Sequence, residues 1–193
     1  MLGLKLETDP RWADIAGKSL EEILTDHAWC EQKAASSGIS LIIVFPEYRD
    51  MVDEVTEIVA EEWSHFERVL GELKKRGFHL GKPRKDEYVV RLAATEKKGG
   101  SREHQLVEKL LYCAIIEARS CERFKLLYEQ LEDPELKKFY YEFMVSEAGH
   151  YTSFLALAKR YRPENEVKKR WLEILEAEAA ILKNLEIRGD RVH

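Results

Sequence analysis

A chain of 193 residues, 45% apolar and 35% charged, is long enough for one domain with a real core and too apolar for disorder. Its net charge of −5 excludes indiscriminate nucleic-acid binding while allowing a local basic patch, and its longest apolar run, residues 110–116, is far too short to cross a membrane. The N-terminus lacks the basic start and apolar run of a signal peptide, and Cys30, Cys113 and Cys121 make no C-x-x-C and no even disulfide framework, so a reduced, cytoplasmic protein is expected.

Only 10 Gly and 5 Pro leave room for long helices. Ser19-Leu20-Glu21-Glu22 reads as a capping box that opens helix A. Its apolar stripe at positions 31, 34, 35, 38, 41, 42 and 45 continues through Gly38 without a phase break, and Pro46 supplies the stop near residue 44. Gly38 costs about 1 kcal/mol relative to Ala within a helix, but it permits close approach of a neighbour. Helix B is predicted over residues 47–76, ending at Gly77. A long connection follows, polar at both ends, with a short helix predicted near residues 86–95. Helix C starts after Ser101 and reaches about residue 131. Asp133-Pro134 is an N-cap followed by Pro at the first helical position, so helix D starts there and ends before Pro163. A fifth helix over residues 164–185 carries a stripe of Val167, Trp171, Ile174, Leu175, Leu182 and Leu185. Glu178 interrupts that stripe, which predicts a partial or edge contact. Two tight hairpins joined by one long crossover give an all-α, ferritin-like four-helix bundle, up-down-down-up, with an additional C-terminal helix in a single domain over residues 1–193.

Two strings carry the chemistry: Glu62-Trp63-Ser64-His65 and Glu147-Ala148-Gly149-His150. Each is a Glu-x-x-His on a helical stretch, which puts both side chains on one face. Each has a partner glutamate upstream: Glu31 lies 31 residues before Glu62, and Glu117 lies 30 before Glu147. Four glutamates and two histidines in that order are the ligand set of a carboxylate-bridged di-metal site. Glu31 and Glu62 lie 14 and 16 residues from the first corner, and Glu117 and Glu147 lie 16 and 13 from the second. Within each antiparallel hairpin the partners are therefore level to about 3–5 Å. Hard oxygen plus imidazole suits iron or manganese. We assign Glu31, Glu62 and His65 mainly to one ion and Glu117, Glu147 and His150 to the other, with Glu62 and Glu147 bridging.

The bland alternative is a set of solvated glutamates, and a single Glu-x-x-His arises easily by chance in a chain this charged. The joint pattern is more specific, and Glu117 sits inside the otherwise apolar residues 110–118. An unpartnered carboxylate there costs several kcal/mol or stays protonated. His27, one turn before Glu31, is a candidate to orient a ligand or meet substrate, and an ordinary packed histidine is the competing reading. Glu61 stands where an acidic residue often holds a ligand histidine in related di-iron proteins. Its counterpart in the other half is Ser146. Glu122 and Arg123 read as an ion pair, the cysteines as small core residues, and Tyr112, Tyr140, Tyr141 and Tyr151 as packing residues.

Residues 26–36 (Asp-His-Ala-Trp-Cys-Glu-Gln-Lys-Ala-Ala-Ser), 61–67 (Glu-Glu-Trp-Ser-His-Phe-Glu), 116–124 (Ile-Glu-Ala-Arg-Ser-Cys-Glu-Arg-Phe) and 146–151 (Ser-Glu-Ala-Gly-His-Tyr) closely resemble the tRNA hydroxylase family that acts on 2-methylthio-N6-isopentenyladenosine beside the anticodon. The likeness spans helices A to D. The Glu-Ala-Arg-Ser-Cys-Glu-Arg-Phe run is its most specific part, and Gly149 departs from the larger, basic residue expected there. The resemblance implies a non-haem di-iron monooxygenase that hydroxylates the isopentenyl group, with two iron (or manganese) ions and molecular oxygen as co-substrate. It also implies an external electron donor of ferredoxin or flavoprotein type, since the chain has no flavin fingerprint and no cysteine cluster. The tRNA anticodon region would then meet the bundle end that collects Lys97, Lys98, Arg102, Lys159, Arg160, Arg162, Lys168, Lys169 and Arg170. Nearby Glu96, Glu103, Glu164 and Glu166 make an ordinary solvated surface the competing reading. Rival functions on the same ligands are a ferritin-like di-iron or di-manganese peroxidase or catalase, an iron-handling protein and a non-enzymatic bundle. A rubrerythrin-like peroxidase would need paired cysteines for its iron–thiolate module.

Overall fold

Helix A runs through Gly38 as expected, because nothing larger fits there. A Cβ on this buried residue would lie 2.5 Å from Val59 Cγ2 and 3.3 Å from Val55 Cγ1. The computed structural model describes residues 2–192. Among the described residues there are seven α-helices and no strand: α1 Arg11–Lys18, α2 Leu20–Val44, α3 Arg49–Lys75, α4 Glu87–Ala93, α5 Arg102–Gln130, α6 Pro134–Tyr161 and α7 Glu164–Lys183. They divide into two compact units, Arg11–Lys85 with Arg188–Val192, and residues 2–10 with Asp86–Ile187.

The first unit is built on the antiparallel hairpin of α2 and α3, turned at the buried Phe45, whose N–H donates to Leu41 O at 2.9 Å. Buried positions on α3 are Met51, Val55, Ile58, Glu62, His65, Val69 and Leu73, and those on α2 include Leu24, Ala28, Glu31, Ala35, Gly38 and Leu41. That alternation of three- and four-residue steps is an apolar seam. Glu31, Glu62 and His65 occupy positions in it that a hydrophobic residue would otherwise fill. The helix α1 has no counterpart in the sequence-based expectation. It buries Trp12, Ala13 and Ala16, and residues 188–192 fasten it down. Trp12 Nε1 donates to Arg191 O at 3.1 Å, and Val192 N donates to the buried Asp26 Oδ2 at 2.8 Å.

The capping box at Ser19 does not form. Ser19 makes no side-chain cap, because α1 leads almost directly into α2: Ser19 N donates to Ala16 O and Ile23 N to Ser19 O, both at 3.0 Å. Glu22 pairs instead with Arg84. Two continuous helical turns leave no open N-terminus to cap.

The second unit is built on the α5/α6 hairpin. Ser101 Oγ accepts from His104 N to open α5, and Asp133 Oδ1 accepts from Glu135 N at 2.9 Å to open α6. Asp86 caps α4 by accepting from Val89 N at 3.2 Å. The seam recurs on α6 as Leu136, Tyr140, Phe143, Glu147, His150, Phe154 and Leu157. On α5 it runs through Leu106, Leu110, Cys113, Glu117, Ser120, Phe124 and Leu127. The fifth helix makes the partial contact expected of it, burying Val167, Ile174, Leu175 and Glu178, but Glu178 does not lie at the edge of that contact. Its side chain is fully buried, with Oε1 accepting from Arg119 Nε at 2.8 Å and from Tyr88 Oη at 3.1 Å. A charge inside an apolar stripe is here the buried partner of another charge.

Candidate metal centre

Each hairpin gathers three ligand-type side chains in its seam. In the first unit, Glu31 comes from α2 and Glu62 and His65 from α3. All three are buried, and each offers one ligand atom within 4.8 Å of the others. His65 Nδ1 is 3.3 Å from Glu31 Oε2 and 3.8 Å from Glu62 Oε2. Its Nε2 points the other way, 3.7 Å from Glu61 Oε1, whose side chain is half exposed. The ring thus presents Nδ1 to the two carboxylates while Glu61 lies on the side of its far nitrogen. His27 is fully buried, and its Nε2 lies 2.7 Å from Glu31 Oε1.

In the second unit, Glu117 comes from α5 and Glu147 and His150 from α6. These too are buried, with ligand atoms within 4.8 Å of one another. The two triads repeat the same donor types from the same relative positions on two hairpins.

The electrostatics of the first triad are those of a site that wants a cation. Burial, followed by the charge of Glu62, pushes the Glu31 carboxyl well above its usual range, and the His65 contact only partly offsets this. Burial works against the His65 imidazolium, yet hydrogen bonds and charge from Glu31 and Glu62 outweigh it and push its pKa up to about 9. Crowded buried carboxylates that hold protons in this way are held more favourably by a divalent ion, which displaces those protons. The oxygen and imidazole donors fit iron or manganese.

The family described as tRNA-(MS2IO6A)-hydroxylase (MiaE) matches residues 2–193. The chain belongs to that family. Among proteins similar to this tRNA hydroxylase family member is the tRNA 2-(methylsulfanyl)-N(6)-isopentenyladenosine(37) hydroxylase of Pseudomonas putida, 36% identical over 170 residues, which are 88% of this chain and 81% of the relative. The protein of the same name from Salmonella typhimurium is 33% identical over 150 residues, 74% of this chain and 52% of that one. A solved structure of a Synechococcus protein with aldehyde deformylating oxygenase activity superposes with a TM-score of 0.92 at 30% identity, covering 98% of this chain and 94% of the other. The all-α, ferritin-like class read from the sequence agrees with that match.

In this tRNA hydroxylase family member the Glu-Ala-Arg-Ser-Cys-Glu-Arg-Phe run holds more than the candidate ligand Glu117. Arg119, fully buried, donates to Glu178, Glu122, Thr8 Oγ1 and Leu6 O. Glu122 Oε1 accepts from Thr8 N at 2.9 Å, and Arg123 Nε reaches Thr8 Oγ1 at 3.4 Å. Sequence reasoning singled out Glu122 and Arg123 but missed Arg119, Glu178 and Thr8, because no local spacing connects them. Cys113 and Cys121 are buried and Cys30 is half-buried. Tyr140 is buried, Tyr112 and Tyr151 are half-buried, and Tyr141 is exposed beside the ring of Tyr128.

The nine basic residues divide by environment. Lys98, Arg102, Lys159, Arg160, Lys168 and Lys169 are exposed around the start of α5, the end of α6 and the start of α7. Lys97 is also exposed and pairs with Glu173 at 2.6 Å, and Lys159 pairs with Glu164 at 3.0 Å. Arg162 is half-buried and bonds Glu166. Arg170 is turned inward, bonding Glu108 at 2.6 and 2.8 Å and Thr95 O at 2.9 Å. No helix among the described residues is long and apolar enough to cross a membrane.

Proposed function

We propose that this protein is an oxygen-dependent di-iron hydroxylase acting on the isopentenyl group of 2-methylthio-N6-isopentenyladenosine in tRNA. Its membership of the tRNA hydroxylase family over residues 2–193 carries the reading. The curated relatives' names supply the substrate class. The two buried triads supply what the chemistry needs, and the likeness to an oxygenase supports it.

Glu31, Glu62 and His65 would hold mainly one metal ion and Glu117, Glu147 and His150 the other, with Glu62 and Glu147 the carboxylates suited to serve both. The chemistry a bound iron pair would supply is activation of molecular oxygen, one atom going into a C–H bond and the other to water, with two electrons and two protons drawn from outside. The chain's own residues set the conditions. Burial of all six ligands excludes bulk water and strengthens every charge interaction among them. Glu61 orients His65 from the solvent side. The electrons come from a separate donor, because the chain has neither paired cysteines nor a flavin fingerprint.

The exposed cations Lys98, Arg102, Lys159, Arg160, Lys168 and Lys169 form the phosphate-facing surface for the tRNA anticodon arm. Lys97, also exposed, pairs with Glu173 as Lys159 does with Glu164, and the half-buried Arg162 and Arg170 are engaged in ion pairs. The setting is the cytoplasm, where tRNA is modified and the three free cysteines stay reduced.

Nucleoside analysis of tRNA from a strain lacking the gene tests the assignment. The hydroxylated isopentenyl nucleoside is expected to disappear and its unhydroxylated precursor to accumulate. An unchanged hydroxylated pool overturns the substrate.

A further inference from the structure

Trp63 is left 48% exposed on α3, although the residue before it, Glu62, is buried. It is not an isolated surface side chain. Its ring packs on Phe66 with centroids 5.1 Å apart, and Phe66 in turn meets Trp29 at 6.4 Å. Those are separations of interacting rings. The three rings form one row across α2 and α3, with Phe66 half-buried between two indoles. Each stands beside a candidate ligand: Trp63 follows Glu62, Phe66 follows His65, and Trp29 comes two residues before Glu31. The row therefore runs along the stretch that buries the first triad and opens to solvent at Trp63. Its other end is tied down. Trp29 Nε1 donates to Gly81 O at 2.8 Å, and Gly81 N donates to Oγ1 of the buried Thr25 at 3.5 Å. The residue after Gly81 is the exposed Lys82, and the half-buried Lys33 lies one turn beyond Trp29 on the same helix face.

An indole braced by a second ring and still half open to solvent suits a flat π-system. RNA loops are recognised in this way, by stacking unpaired bases on aromatic side chains. Cations at the Trp29 end complement the phosphates that link such bases, whereas an apolar protein partner would ask for no cation there. We propose that Trp63 is a stacking surface for an unpaired nucleobase of the RNA loop, braced by Phe66 and Trp29, with Lys33 and Lys82 as the cations beside it. The inference rests on the tRNA reading above and adds a base contact to it.

Equilibrium binding of the full-length protein to a labelled anticodon stem–loop RNA, with no electron donor present, tests it apart from turnover. A blunt duplex of the same stem is the control. Trp63→Ala is expected to weaken stem–loop binding by about 5–100-fold, the scale of one base stacked on an aromatic ring. It should leave duplex binding, the salt slope and the melting temperature close to those of the wild type. Trp63→Phe keeps a ring and recovers most of the loss. Trp63→Leu keeps apolar cover without a π face and stays weak. Lys33→Ala/Lys82→Ala flattens the salt slope by about two units. Unchanged stem–loop binding in Trp63→Ala, equal losses on stem–loop and duplex, full recovery by Trp63→Leu, or an unchanged slope in the lysine pair each overturns the proposal. So does a wild type that self-associates in solution through Trp63, becoming a monomer in Trp63→Ala. If Trp63→Ala melts far below the wild type, Trp63→Phe and Trp63→Leu decide it. Failure of the tRNA reading looks different: the wild type itself does not bind the stem–loop, and the nucleoside pool of the deletion strain is unchanged.

Discussion

Arg119 and Glu178 meet with their side chains fully buried, the guanidinium Nη2 2.7 Å from Oε1, and join α5 to α7 two residues past Glu117. Burial works against the arginine's charge, but Glu178 and Glu122 outweigh it and raise its pKa. Removing one partner leaves the other charge buried and uncompensated. Glu178→Leu is therefore expected to destabilise the protein by about 3–5 kcal/mol, the range for breaking a buried pair. The double variant Arg119→Met/Glu178→Leu should recover part of that loss. Urea unfolding of the four proteins in the cycle checks this; equal effects of single and double variants would remove the coupling.

Two helical glycines make opposite predictions. At Gly38 an added Cβ meets Val59 at 2.5 Å, and valine is too short and stiff to swing away. Gly38→Ala should therefore cost about 1–3 kcal/mol from overpacking. At Gly71, exposed on α3, an added Cβ meets nothing within 4 Å. Gly71→Ala should gain up to about 1 kcal/mol from helix propensity. Thermal melts of the two variants should shift in opposite directions.

If Glu117 is a metal ligand, as proposed, its carboxylate serves the metal rather than the fold. A buried carboxylate in an apolar seam is costly until a cation meets it. Metal-free Glu117→Leu should be at least as stable as the metal-free wild type, by about 0–3 kcal/mol. Fe(II) should then raise the melting temperature of the wild type much more than that of the variant, because only the folded ligand set binds it. A variant whose melting point rises with Fe(II) as far as the wild type's would remove Glu117 from the ligand set.

These features differ in how far the sequence discloses them. Glu-x-x-His spacing and level placement across a corner are local patterns, so the buried, clustered Glu31, Glu62, His65, Glu117, Glu147 and His150 could be named as candidate ligands from the sequence alone. The ends of α5, α6 and α7 are likewise punctuated by Ser101, Asp133-Pro134 and Pro163. The helix α1 carries no such signal. Its 8 residues are too few for a clear period, and Trp12 is fastened by Arg191, 179 positions away. Glu178 misleads for a related reason. A charge in an apolar stripe reads as solvent-facing unless its buried partner is known, and Arg119 is 59 residues distant. Ser19 shows the limit of a local motif: its four residues form a capping box only where a helix begins in the open, and α1 removes that opening.

The C-terminal segment contributes a pH-dependent clasp. Hydrogen bonding from Arg188, only partly offset by burial, holds the Asp190 carboxyl down at about 2 against an ordinary 3.8, helped by the charges of Arg191, Arg188 and Arg84. A carboxylate depressed in the folded state stabilises it at pH values above the unfolded pKa, and the contribution fades as pH falls toward the folded value. The advantage of the wild type over Asp190→Asn should thus be full above about pH 5 and vanish near pH 2. Its size should stay below about 1 kcal/mol, since the group is largely solvent-screened. Melting temperatures of the pair across pH 2–7 check the sign (roughly the window set by that linkage); an advantage that grows on acidification would contradict it.

The last prediction separates binding surface from scaffold among the basic residues. Lys168 and Lys169 are exposed at the start of α7, whereas the next residue, Arg170, is turned to Glu108 and Thr95. A lysine that faces phosphate contributes about one unit to the slope of log affinity against log salt. Lys168→Ala/Lys169→Ala should therefore weaken tRNA binding and flatten that slope by about two units while leaving the melting temperature almost unchanged. Arg170→Ala should do the reverse. It leaves Glu108, which is half-buried, without its guanidinium, so it should lower stability and leave the salt slope of the folded protein close to the wild-type value. Filter binding at several salt concentrations, paired with thermal melts, distinguishes the two. If Lys168 and Lys169 can both be neutralised with no change in slope, the tRNA arm lies on another face.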